Sequence, residues 1–67
     1  MLAREVLDAV WHAVDKLSPR QKEVFVLRFA EEMELKEIAE VLNLRLGTVK
    51  AQLFRALTNV REQVGRG

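Results

Sequence analysis

The sequence has no cysteine and no tyrosine, and holds one histidine, one proline and three glycines among 67 residues. Without cysteine there is no disulfide framework and no thiolate chemistry, and a single histidine cannot assemble the usual zinc sites. No apolar run approaches the roughly 20 residues that span a bilayer, and the N-terminus lacks the basic and then apolar layout of a secretory signal. A soluble, cytoplasmic protein without membrane association is the expectation. Scarce glycine and proline, set against 49% hydrophobic residues, argue against a disordered tail and for a small helical bundle. A chain this short makes one domain, residues 1–67, and buries only about 60% of the surface its unfolded form exposes, so modest stability is expected.

The charges are unevenly placed. Residues 1–42 hold six Lys or Arg against nine Asp or Glu, a balance of −3, whereas residues 43–67 hold five against Glu62 alone, a balance of +4. The C-terminal third is the cationic pole. It reads either as an ordinary solvated helix face or as a footprint for phosphates, and charge alone does not choose.

Apolar residues recur with the helical period throughout, with no strand signal, internal repeat or linker. Leu2, Val6, Leu7, Val10, Trp11, Val14 and Leu17 draw one stripe along a first helix, which predicts Trp11 in the core and His12 facing solvent. Ser18-Pro19-Arg20-Gln21 is a helix start: Ser18 caps, Pro19 suits the first turn and Gln21 completes a capping box. The second helix, with Val24, Phe25, Val26, Leu27, Phe29 and Ala30 apolar on nearly every side, is predicted to be the most buried, its Arg28 snorkelling outward. After Glu31-Glu32 a short third helix turns Leu35, Ile38, Ala39 and Leu42 inward and Lys36, Glu37 and Glu40 outward. Asn43 ends it, being the residue that best replaces glycine at a left-handed helix terminus. The fourth helix, from about residue 46 to 60, buries Val49, Leu53, Ala56, Leu57 and Val60, and Val64 extends the stripe. Gly65 and Gly67 mark a frayed end. The class is all-α, with about four helices.

A short helix, a turn of three to four residues and a second helix with unspent polar side chains form the layout of a helix-turn-helix. Ala39 sits at the helix crossing and must stay small, while Val49 and Leu53 pin the second helix. At about 100° per residue, the buried stripe of helix four leaves Thr48, Ala51, Arg55 and Thr58 opposite, flanked by Gln52, Phe54 and Asn59. A merely solvated helix would carry paired Glu and Lys, yet Glu62 is the segment's sole acid. Arg and Lys reach phosphates or guanine edges, Gln bridges adenine, and Ala, Thr and Phe meet the thymine methyl, so this face suits reading of a DNA major groove. Phe54 lies where an aromatic is either the edge of the core or presented to a ligand. Thr48, in the first turn, can cap free amides or bind a phosphate held by the helix dipole.

At these residues the chain resembles region four of bacterial sigma factors, nearest the extracytoplasmic-function group, over about residues 17–61. The matching pieces are Leu17-Ser18-Pro19-Arg20-Gln21 running into Val24-Phe25-Val26-Leu27-Arg28-Phe29, then Glu37-Ile38-Ala39, Gly47-Thr48-Val49-Lys50 and Phe54-Arg55-Ala56. The Glu-Ile-Ala and Thr-Val-Lys pieces also occur in LuxR-type regulator domains, which keeps a LuxR-type regulator as the second reading. The resemblance implies recognition of the promoter minus-35 element in double-stranded DNA and docking on the β-subunit flap of the RNA polymerase core. It also implies groove-facing positions at Lys50, Ala51, Gln52, Phe54 and Arg55, with Thr48 and nearby basic residues such as Arg45 on the DNA backbone. Three departures stand out: Arg45 where the family has a Ser-like cap, Leu46 where Pro is common, and Gln52 where Arg is frequent.

No nucleophile is paired with a base, and no carboxylate dyad or phosphate loop is present, so neither enzymatic activity nor a cofactor or metal is expected. A third reading is a helical protein-interaction module that does not bind DNA. Its support is the acidic set Glu31, Glu32, Glu34, Glu37 and Glu40, read first as a solvated face and second as a surface for a basic partner such as an anti-sigma factor or polymerase. The chain has no room for sigma region two and reads as an excised C-terminal domain, monomeric on DNA.

Overall fold

The starts of the second and third helices and the end of the third have local causes. The computed structural model describes residues 3–66, with side chains through residue 65, so Leu2 and Gly67 lie outside the described residues. Four helices follow in order: α1 (Arg4–Asp15), α2 (Pro19–Phe29), α3 (Leu35–Leu42) and α4 (Leu46–Arg66). At the start of α2 the Gln21 amide donates to Ser18 Oγ at 3.4 Å, with Pro19 in the first turn where its missing N–H costs nothing. At the start of α3 the Glu34 amide donates to the Glu37 carboxylate at 2.9 Å. The α3 terminus is a Schellman motif. Asn43 is left-handed (φ 55°, ψ 47°), its amide bonds the Glu40 carbonyl, and the Leu44 amide reaches the Ala39 carbonyl at 2.8 Å.

The helices enclose two small cores threaded on α4. In one, Ala13 and Val14 of α1 and Phe25 of α2 meet Ala56 and Val60 of α4. In the other, Val24 of α2 and Ile38 and Ala39 of α3 meet Val49 of α4, with Leu42, Leu44 and Leu53 closing the edges. Ile38, Val14, Val24 and Val49 are the largest fully buried side chains, so β-branched residues of fixed shape occupy the centre. At about 1.5 Å per residue the 21 residues of α4 run about 31 Å, nearly the 34 Å long axis of the molecule. This helix is the spine on which the other three are mounted.

The all-α class, the inward face of α3 and the Asn43 terminus agree with the sequence reading. Several details differ. Trp11 is 43% exposed and touches the core through an edge-to-face contact with Phe25, because Val10, Ala13 and Val14 take the inward positions of α1 and leave the indole at the rim. Helix α2 is not buried all round: Val24 and Phe25 are inside, while Phe29 and Ala30 are exposed. Leu57, expected inside, is 39% exposed at the rim of the first core. Gln21 does not close a capping box, since its side chain turns to Asn59 of α4. Arg28 does not run out to solvent but is half-buried against Met33. The last helix continues past residue 60 through Gly65, because Val64 still finds the first core. Among the described residues no helix is long and apolar enough to cross a membrane.

Candidate nucleic-acid interface

Helix α3, the three residues Asn43, Leu44 and Arg45, and helix α4 form a helix-turn-helix, and the turn's geometry is set by the left-handed Asn43. Ala39, buried at the crossing, lets the two helices approach, and Val49 and Leu53 hold α4 against α3. These contacts fix which side of α4 is left outward. With Val49 as the centre of the buried stripe and about 100° per residue, Ala51 and Thr58 fall near the middle of the free face. Thr48 and Arg55 lie on one flank, and Lys50, Phe54 and Arg61 on the other.

Accessibility agrees with this projection. Arg45, Thr48, Lys50, Ala51, Arg55, Thr58 and Arg61 are all exposed. Phe54 is the most exposed of the large apolar side chains at 72%, so it is presented rather than packed. Gln52 is half-buried, as its place at the edge of the stripe requires, and emerges only at the boundary of the face. The Thr58 hydroxyl donates to the Phe54 carbonyl at 3.0 Å, which leaves its oxygen lone pairs and methyl group facing out. Thr48 makes no side-chain hydrogen bond among the described residues, so the capping role suggested by its position is not taken up within the chain. Arg45 precedes the helix with no side-chain acceptor to offer, and the Val49 amide donates to the Arg45 carbonyl at 3.1 Å as the helix begins.

The ion pairs sharpen the charge asymmetry. Lys22 pairs with Asp15 at 3.0 Å and Arg20 with Glu23 at 2.9 Å, so two cations of α2 are matched by acids. No ion pair engages Arg45, Lys50, Arg55 or Arg61 among the described residues. Three unmatched cations on the helix, Arg45 just before it and no acid until Glu62 make this surface attractive to polyanions. The side-chain set can form hydrogen bonds to base edges, touch thymine methyl groups and hold phosphates, all from one face about three turns long.

The fold also contributes a residue to this neighbourhood that the sequence pattern did not suggest. Gln21, 38 positions before Asn59, accepts from Asn59 Nδ2 at 3.0 Å and borders a shallow recess of about 260 Å³ with Phe54, Arg55 and Thr58. Its position in a helix-start motif accounted for it locally, and no periodicity could link it to a helix so far along the chain.

Residues 7–60 match the family described as "Sigma-70, region 4". The chain is 44% identical over 52 residues to RNA polymerase sigma factor SigV of Bacillus subtilis, covering 78% of this chain and 31% of the relative. It is 44% identical over 52 residues to an RNA polymerase sigma-E factor of Streptomyces antibioticus, covering 78% and 29% respectively. With ECF RNA polymerase sigma factor SigW of Bacillus subtilis it shares 31% identity over 64 residues, which is 96% of this chain and 34% of that protein. The chain thus spans about a third of the length of these relatives. The match decides between the two resemblances against the LuxR type, and on it the chain belongs to the sigma-70 region 4 family.

Proposed function

We propose that this domain recognises the minus-35 promoter element in double-stranded DNA as the non-enzymatic, upstream-reading part of an RNA polymerase sigma factor in the cytoplasm. The observation that carries the reading is the exposed, unpaired cationic face of α4, free of acids before Glu62, on a helix-turn-helix of this family. With α4 in the major groove, Lys50 and Arg55 reach guanine edges or phosphates, Ala51 and Phe54 meet thymine methyl groups, and Gln52 contacts a base from the edge of the face. Arg45 and Thr48, at the helix start, hold the DNA backbone where the helix dipole favours a phosphate.

The polymerase core is the second partner in this reading. A groove of about 340 Å³, lined by Val10, Phe25, Phe29, Leu57, Val60 and Val64 with Arg61 at its edge and the exposed Trp11 packed on Phe25, supports a largely apolar docking surface for the β-subunit flap. An anti-sigma factor is a further protein partner of the same reading.

Titration of the domain against a library of short duplexes tests the DNA claim. One duplex should win over bulk DNA, bound by a monomer at an asymmetric site. Four phosphate contacts, from Arg45, Lys50, Arg55 and Arg61, give a log-log salt slope of about −3.6. A flat salt response overturns DNA binding and favours the interaction module. Arg55→Ala should weaken the preferred duplex while leaving the helical signal intact, and unchanged binding would mean that the reading face is misassigned.

A further inference from the structure

We infer that Gln21 is a positioning residue for DNA reading: through its hydrogen bond to Asn59 it fixes the rotation of α4 about its own axis and hence the aim of Arg55. The inference rests on α4 being the DNA-reading helix. Apolar contacts hold α4 against the two cores and fix which side faces outward, but such contacts are non-directional and leave the last few degrees of rotation to a directional one. A hydrogen bond is directional. Among the described residues the Asn59–Gln21 bond, at 3.0 Å, is the sole polar side-chain link between α4 and another helix.

Gln21 is itself well anchored. Its amide is tied to Ser18 Oγ, and the neighbouring Lys22 is tied to Asp15 of α1, so the acceptor sits at a braced junction of α1 and α2. Asn59 follows Arg55 by four residues and shares its flank of α4. A rotation of about 10° moves a group about 6 Å from the helix axis by about 1 Å. That displacement matches the tolerance of a two-bond contact to a guanine edge, so a small slip in azimuth costs base discrimination while leaving phosphate attraction in place.

The test compares the parent with Gln21→Met, Asn59→Ala and the double variant on a preferred and a scrambled duplex. Each single change removes one end of the bond from exposed or half-buried sites, and helical content is checked by circular dichroism. The ratio of specific to non-specific affinity should fall by about three- to tenfold in each single variant, the factor carried by one net hydrogen bond. Non-specific affinity and the salt slope should stay at the parent's values, and the double variant should lose no more than either single one. A structural role alone would weaken both duplexes together; that result, an unchanged ratio, or additive losses would overturn the inference. A parent that binds every duplex alike would overturn promoter reading itself, and the positioning role with it.

Discussion

Arg28 Nη1 donates to the main-chain carbonyl of Met33 at 3.2 Å, tying the last turn of α2 to the loop that launches α3. The same guanidinium lies 5.8 Å from the centroid of the Phe29 ring, so one half-buried side chain holds the corner by two means. Arg28→Met keeps the apolar stem and removes both interactions. Given net values of about 1.5–3 kcal/mol for a charge-assisted bond and less for the ring contact, a loss of about 2–3 kcal/mol is expected. Urea unfolding would show it as a lower midpoint at unchanged slope; a midpoint equal to the parent's would sink this account of the corner.

Among the described residues two carry a left-handed backbone without being glycine, Glu32 and Asn43, each at φ 55°. They differ in how well they tolerate it. Asn adopts this region readily, whereas a longer side chain gains nothing there. Glu32→Gly should therefore be neutral to stabilising by about 0.5 kcal/mol, and Asn43→Val should cost about 1–2 kcal/mol. Thermal melts of the two variants, moving in opposite directions or with only the second falling, check the prediction; a stable Asn43→Val contradicts it.

Ile38 has no exposed surface and sits between α2 and α4 in the second core. Truncation to Ala costs about 2–5 kcal/mol, and a domain of this size holds about 3–10 kcal/mol in all. Ile38→Ala is therefore expected to lose much of its helical signal at 37 °C and to lose DNA binding with it. Circular dichroism decides the matter: full helicity at that temperature would show that the second core is dispensable.

The start of α4 sets stability against charge. Arg45 occupies the position where a Ser accepts from a first-turn amide, and no side-chain cap is formed. Arg45→Ser should raise stability by about 0.5–1 kcal/mol. On DNA the same change removes one proposed phosphate contact, so the salt slope should shrink by about 0.9. The two readouts move in opposite senses, and a variant that is stabilised with an undiminished slope would remove Arg45 from the interface.

The helix starts and stops were legible because their causes are local: Ser18 with Pro19, and Asn43 before Leu44, declare themselves within a few residues. The face of α4 was legible because Val49, Ala56 and Val60 keep one period and so leave the opposite side free. What could not be read were the contacts that depend on where helices cross. Trp11 lies on the apolar stripe of α1 like any core residue, yet Val10, Ala13 and Val14 face the core there and the indole is left at the rim. Gln21 had a sufficient local explanation as a capping residue, and only the packing of α2 on α4 brings Asn59 within reach. Arg28 likewise finds its acceptor only once the chain has folded back after Phe29.

Because both cores are strung along the single rod of α4, the two ends of the molecule are mechanically in series. The free face runs from Thr48 to Arg61, and the apolar groove lies along Leu57 to Val64 on another side of the same helix, with no hinge residue described between them. Whatever grips the groove therefore holds the reading face at a set distance and angle. The helix acts as a common axle: neither the groove nor the face can turn without carrying the other with it.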